Sequence, residues 1–268
     1  MTITIITVTF NAGNALERTI QSVISQDYPD IEYIIIDGGS RDSTLNVIEK
    51  YKKSISYWIS EPDEGIYDAM NKGINMASGA WVNFMNSGDC FINNHIVSYF
   101  ASLMDDSLKC IYGNVIRCYN NHKERLYPIK KKSPDAADFI LTGIDHQGAF
   151  IHKSLFQKYG LYDTRYRLAA DSVFFMKTIG INREPCKYID IDVALFMMNG
   201  ASTLHHAEYM EEKGKAFEET FGIFKTYVLE LAEYRKSRLI RTLLQIRLFV
   251  KRTGVGRRIK KLLNIKLI

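Results

Sequence analysis

The 268-residue chain reads as an α/β fold: a doubly wound, mostly parallel sheet with flanking helices, followed by a basic helical extension. Three observations predict it. Apolar runs rich in Val, Ile and Thr alternate with amphipathic stretches through the first third of the chain, the order that parallel strands and crossover helices produce. Two of the apolar runs stop at acids: Ile34-Ile35-Ile36 ends in Asp37, and Trp81-Val82-Asn83-Phe84-Met85 ends in Asn86-Ser87-Gly88-Asp89. From about residue 207 the pattern becomes helical, lacks Pro and turns basic.

The elements follow in order. Residues 3–10 are expected as a strand, 14–26 as a helix, 31–37 as a strand, 42–53 as a helix, 55–60 as a strand, 66–77 as a helix and 80–85 as a strand. Asn14 and Asp42-Ser43 mark helix starts, and Gly79 marks a stop. Residues 109–117, 148–152 and 187–198 read as further strands, 130–134 as a surface loop, and 257–265 as a short last helix. Gly143 to Gly148 interrupts the pattern with Asp145, His146 and Gln147, where a binding loop is expected. The predicted division is a domain over 1–205 and a helical, basic extension over 206–268.

Composition narrows the function classes. With 46% hydrophobic and 24% charged residues the chain is globular rather than disordered. No run of eighteen apolar residues occurs, and the first strand begins at Thr2 without a charged leader. The expected location is therefore cytoplasmic, peripheral on the cytoplasmic face of the inner membrane. Cys90, Cys110, Cys118 and Cys186 have neither disulfide-framework nor zinc spacing, so reduced thiols are expected. From Lys225 onward thirteen Lys or Arg face only Glu230 and Glu233, which leaves 22 basic against 28 acidic residues before them. A cationic helix with an apolar stripe at Leu239, Leu243, Ile246 and Val250 suits peripheral membrane contact; the blander reading is a helix packed on its own core or on a second subunit, as in a homo-oligomer. Nucleic acid is disfavoured, because the tail has Phe249 as its lone interleaved aromatic and no recognisable module.

The polar residues admit both structural and chemical readings. Ligands of open α/β sheets bind beyond the carboxyl ends of the strands, so Asp37 is a candidate for a ribose hydroxyl or a base N–H, with helix capping as the alternative. Asp89 is a candidate ligand for Mg²⁺ or Mn²⁺, although an acid after Ser-Gly is also common in turns. Glu61 to Gly73 crowds polar groups around a helix start, where backbone N–H groups favour phosphate. Asp171 stands at the mouth of an apolar helix, as a cap or as a general base at a pocket edge.

Six ordered motifs then resemble the family 2 glycosyltransferases of the GT-A fold: Thr7-Val8-Thr9-Phe10-Asn11, Gln26-Asp27-Tyr28-Pro29, Asp37 to Thr44, Asn71-Lys72-Gly73-Ile74, Ala77-Ser78-Gly79 and Asn86-Ser87-Gly88-Asp89. The resemblance spans roughly 2–205. It implies an inverting transfer of one sugar from a nucleotide-sugar donor, UDP-linked, to a saccharide or lipid-linked saccharide acceptor, in bacterial surface polysaccharide or glycolipid synthesis, with Mg or Mn on the diphosphate. By motif position it implies Thr9, Asn11, Asp37, Asp63, Asn71, Lys72 and Ser87 for the donor, Asp89 for the metal and Asp171 for the base. His146 and Gln147 fall on the acceptor side, and His205 is a further candidate metal ligand. Ser87 replaces the first acid of Asp-x-Asp, Ala170 replaces the Glu that often precedes the base, and Met70 stands where many relatives have Arg. These losses leave a catalytically weak or silent nucleotide-sugar-binding assembly partner as the alternative. Absence of Gln-x-x-Arg-Trp argues against a processive polymerase, and absence of GxGxxG after the first strand argues against a nucleotide-dependent oxidoreductase.

Overall fold

The computed structural model describes residues 1–119, 122–126, 128–130, 134–197, 205–222 and 230. The chain divides into units Met1–Gly222 and Ile223–Ile268. The expected membrane helix and the last helix at 257–265 lie outside the described residues, as does most of the surface loop at 130–134.

Strands β1 (Ile3–Thr9), β2 (Ile31–Asp37), β3 (Tyr57–Ser60) and β4 (Trp81–Phe84) alternate with helices α1 (Gly13–Ile24), α2 (Thr44–Tyr51) and α3 (Ile66–Met76). Then come β5 (Cys90–Phe91), α4 (Ile96–Ala101), β6 (Cys110–Cys118), β7 (Lys123–Leu126), α5 (Ala136–Leu141), β8 (Ala149–His152), α6 (Ser154–Tyr159), α7 (Ala170–Phe175), β9 (Cys186–Met197) and α8 (His206–Phe221). The sheet runs β3-β2-β1-β4-β8-β6-β9-β5, with β7 paired to β6. Its first four strands are parallel; β8 is antiparallel to both β4 and β6, while β6 and β9 are parallel. The α/β architecture is as expected, and its second half is mixed rather than parallel.

Central β1 is buried along its whole length, which is why it reads as a continuous apolar run. Of its buried hydroxyls, Thr7 Oγ1 donates to the Met85 carbonyl at 2.7 Å and meets Tyr33 OH at 3.1 Å. Helix α3 lies close on β1 because Gly73 has no side chain: a Cβ there would come 2.6 Å from Ile6 Cγ2. Trp81, Tyr33, Phe84, Phe100 and Phe150 fill the interior on either side of the sheet.

Two local readings need correction. Helix α1 starts at Gly13 with Ala12 before it and no side-chain cap, so Asn14 lies inside the first turn. The loop from α2 substitutes for a cap: Thr44 Oγ1 and Asp42 Oδ2 accept from Ala12 N and Gly13 N at 2.9 and 3.3 Å. Strands β5 and β7 were not expected, because two and four residues are too short to show a period.

Candidate active site

The C-terminal ends of β1, β2 and β4 meet at one edge of the sheet. Thr9 and Asp37 are register partners, and Ser87 N donates to the Val8 carbonyl at 3.1 Å, so Thr9, Asp37 and Ser87 are neighbours. Asp37 is fully buried. Its Oδ2 accepts from Ser40 N at 2.9 Å, Gly39 N at 3.2 Å and Ser60 Oγ at 2.6 Å, and Oδ1 accepts from Ser40 Oγ. The carboxylate therefore shapes the 38–40 loop. Asn11, at φ +48°, secures the same loop: Arg41 N donates to its Oδ1 at 2.9 Å, and its own N donates to Ser40 Oγ at 2.7 Å. Asp63 faces Gly38, where a Cβ would sit 2.4 Å from Oδ2. Burial pushes the Asp63 carboxyl above its ordinary value, although Gly65 N donates to it.

Asn71 and Lys72 on α3 hold the walls. Asn71 exchanges two hydrogen bonds with the backbone of Tyr162, at 2.8 and 3.0 Å. Lys72 Nζ donates to the Pro62 carbonyl at 3.0 Å and pairs with Glu61 at 2.9 Å, bracing the loop that carries Asp63.

After β4 the chain turns through Gly88 at φ +103°, the left-handed region that favours glycine, and delivers Asp89 to the interior. Asp89 accepts from Gln147 Nε2 at 2.9 Å and from Met197 N at 3.2 Å. Burial raises its pKa to about 6 against these hydrogen bonds. At the ends of β1 and β4, Thr9 Oγ1, Ser87 Oγ and Asn86 Oδ1 are buried and have no hydrogen-bond partner. Such orphans mark where a ligand or water belongs. Among the described residues no cluster of three His, Cys, Asp or Glu forms a metal cage. One carboxylate fits an ion that draws most of its oxygens from a diphosphate and from water, as Mg²⁺ does. His205 stands at the start of α8, half exposed, with Nδ1 3.0 Å from Glu208 Oε1.

Asp171 lies in the first turn of α7, where its Oδ1 accepts from the first-turn Ser172 N. Glu212 on α8 holds the segment just before the helix, accepting from the backbone N–H groups of Arg167, Leu168 and Ala169 at 2.7–3.1 Å. The second oxygen of Asp171 is left for other partners. Its Oδ1 accepts from Tyr67 OH at 2.8 Å and Ser172 N at 2.7 Å, and its Oδ2 faces His146 Nδ1 at 2.8 Å. His146 Nε2 lies 3.0 Å from Asn86 Nδ2. Burial would raise the Asp171 pKa, but the hydrogen bond and charge of His146, with the bonds from Tyr67 and Ser172, hold it below the ordinary value.

Asp37, Asp89 and Asp171 are thus linked: Asp37 to Ser87 through Thr9, and Asp89 to Asp171 through the adjacent pair Gln147 and His146. Sequence reasoning placed Asn86, Tyr67 and Asp145 inside motifs or loops without giving them a role of their own, and missed Arg117 and Lys213, the cations that face Asp145. A lone basic residue on a strand or a polar helix has no signal that sets it apart from surface positions.

A doubly wound sheet closed by a mixed second half, with a polar cleft at the strand ends, is the GT-A architecture. The family model for Glycosyl transferase family 2 matches residues 4–160, and the chain belongs to that family. An uncharacterized glycosyltransferase of Mycobacterium tuberculosis is 34% identical over 183 residues, covering 66% of this chain and 68% of the relative. A PGL/p-HBAD biosynthesis glycosyltransferase of Mycobacterium bovis is 26% identical, covering 77% and 82%. Among solved structures, S. aureus TarS 1–349 in complex with UDP-GlcNAc superposes with a TM-score of 0.69 at 17% identity, over 89% of this chain and 74% of that one. The chain spans 44% of TarS in a longer structure of that protein. Glucosyl-3-phosphoglycerate synthase of M. tuberculosis, in complex with Mn²⁺ and UDP, superposes at 0.53 and 16% identity, covering 81% and 79%. No helix among the described residues is long and apolar enough to cross a membrane.

Proposed function

We propose that this family 2 glycosyltransferase moves one hexose-type sugar from a UDP-linked donor to an acceptor hydroxyl, with inversion, in the synthesis of a bacterial surface glycan or glycolipid. The observation that carries the reading is the set of buried, unpartnered oxygens on Thr9, Ser87 and Asn86 at the strand ends, together with the Asp171 carboxylate, which keeps one acceptor position open. The named relatives support it: one acts in PGL/p-HBAD biosynthesis, and two structural neighbours hold UDP or UDP-GlcNAc.

A carboxylate offers about four lone-pair positions. Three on Asp171 are used by Tyr67, Ser172 and His146, and the fourth belongs to Oδ2. In the proposed step Oδ2 takes the proton of the acceptor hydroxyl as that oxygen bonds to the anomeric carbon. The bond from that carbon to the diphosphate oxygen breaks, and its electron pair leaves with the nucleoside diphosphate. Attack from the face opposite the leaving group inverts the centre. Thr9, Ser87 and Asp63 bind the donor, and Asp37, Asn11, Asn71 and Lys72 set the loops around it. Asp89 would hold a divalent ion, which neutralises charge on the departing diphosphate when bound. His205 remains a second candidate ligand.

The test is a thermal-shift screen of nucleotides and nucleotide sugars with and without Mn²⁺, followed by turnover of the best donor. Asp171→Asn is expected to lower kcat by about 10³-fold with donor binding retained. Full activity in that variant would remove Asp171 from the mechanism.

A further inference from the structure

Two consecutive residues of one 3-10 turn, His146–Gly148, each grip one of the cleft acids: His146 meets Asp171, and Gln147 donates to Asp89. His146 also reaches Asn86, three residues before Asp89, so its ring spans the gap between the base and the donor turn. The ring is little exposed, at 13%, and Phe84 packs edge-on against it with centroids 6.5 Å apart. Its orientation is therefore fixed by contacts on three sides.

We infer that His146 is a positioning residue: held between Asp171 and Asn86, it orients the open lone pair of Asp171 Oδ2 and fixes the distance from the base to the donor turn. This rests on the reading of Asp171 as base. The charged and titratable groups around the pair agree with it. His146 is faced by Asp171, Asp89 and Asp145, and Asp171 is faced by His146, Asp145, Lys213 and the phenols of Tyr67, Tyr162 and Tyr209. Burial opposes a charge on His146, but the hydrogen bond and charge of Asp171, with the charges of Asp89 and Asp145, raise its pKa above the ordinary 6.5. Nδ1 faces Asp171 and Nε2 faces Asn86 Nδ2, so in this geometry Nδ1–H donates to Asp171, Nε2 accepts from the Asn86 amide, and Asn86 Oδ1 keeps no protein partner.

Two substitutions separate the contacts. His146→Asn keeps a polar group near the Nδ1 position, against Asp171, and His146→Gln reaches the Nε2 position, against Asn86; neither carries charge. Both are expected to lower kcat about 10²-fold, with KM for the nucleotide sugar within about twofold, because a small misplacement of the base is enough for such a loss. Without the hydrogen bond and charge of His146 the Asp171 pKa rises, so the acid limb of the kcat–pH profile should move up by about one unit or more. A merely structural role would lower Tm or raise KM and leave that limb in place. A second measurement needs no turnover: by NMR the His146 imidazole should titrate above 6.5 in the native protein and lower in Asp171→Asn. Wild-type kcat with an unmoved acid limb in both variants, or an imidazole titration indifferent to Asp171→Asn, overturns the inference. Those results leave the base itself standing as long as Asp171→Asn is inactive.

Discussion

Strands β1 to β4 are parallel, joined by helices of eight to twelve residues, and end together at the nucleotide side of the cleft, whereas β5 to β9 mix orientations and carry the base between short helices. The polar groups of the two halves are satisfied differently. In the first half Asp37, Asn11, Asn71 and Lys72 hold loops, while the hydroxyls of Thr9 and Ser87 have no partner. In the second half Asp171 and His146 are bound to side chains from several elements. On the proposed function the first half leaves hydroxyls free for a ligand, while the side chains around Asp171 form a network connected within the protein, in which Arg117 Nε and Tyr162 OH are the unpartnered atoms. Substitutions in the network should therefore act on turnover, and those among the orphan groups on donor binding.

Asp89 belongs to both halves, and its replacement should have the largest effect of those below. Asp89→Asn is expected to lower Mn²⁺-dependent turnover by at least about 10²-fold, since it removes the charge that would hold the ion. Stability should respond in the opposite sense. The Asp89 carboxyl titrates at about 6, against 3.8 when free, so the folded state binds its proton more tightly than the unfolded state does. Its contribution to stability therefore falls as pH rises from about 4 to about 6, by roughly 3 kcal/mol in all. An amide has no such titration. Whatever constant cost follows from facing the Met197 N–H, the unfolding free energy of the variant relative to native should gain about that amount between pH 4 and pH 7. Chemical denaturation of the metal-free proteins at the two pH values reads this directly, and a flat difference would mean that Asp89 is ordinary in the folded state.

How far each half is legible in the sequence follows from the same contrast. β1 reads correctly because both its faces are buried, and β6 and β9 read correctly because their apolar runs are long. Helices α4 to α6 have six residues each, too few for a 3.6-residue period to repeat, and they stay unread, whereas α7 is visible as the apolar run that follows Asp171. In the site, acids at strand ends are visible because the fold class says where strand ends go. The partners of Asp171 are not, since Tyr67 and His146 reach it from 104 and 25 residues away in the chain. The helix-cap reading of Asp171 holds in part, since its Oδ1 accepts from Ser172 N, while the segment just before α7 is held by Glu212, 44 residues from Leu168.

Glu212 tests whether the network depends on that long-range contact. In Glu212→Ala three backbone N–H groups just before α7 lose their acceptor, at a cost of about 1–2 kcal/mol. Because Asp171 is in the first turn of α7, kcat should fall by about tenfold along with a Tm lower by a few degrees. Donor affinity in the thermal-shift assay should be unchanged if the halves are as separate as described. A variant that lost donor binding would show that α8 and the nucleotide side act as one unit.

Thr9→Val makes the smallest change and the sharpest comparison. The substitution is close to isosteric and exchanges a hydroxyl for a methyl at a site only 6% exposed. Because Thr9 Oγ1 has no hydrogen-bond partner in the protein, the native fold bears the desolvation cost of a buried polar group, typically about 1–3 kcal/mol. Removing it should leave Tm unchanged or raise it. A nucleotide that satisfies the hydroxyl would lose one hydrogen bond in the variant, about 1 kcal/mol or roughly fivefold in affinity, with kcat at saturating donor preserved. Opposite signs on fold and ligand distinguish a group kept for binding from one kept for structure. A lower Tm together with native donor affinity would place Thr9 in the structural class and weaken the assignment of this strand end to the nucleotide.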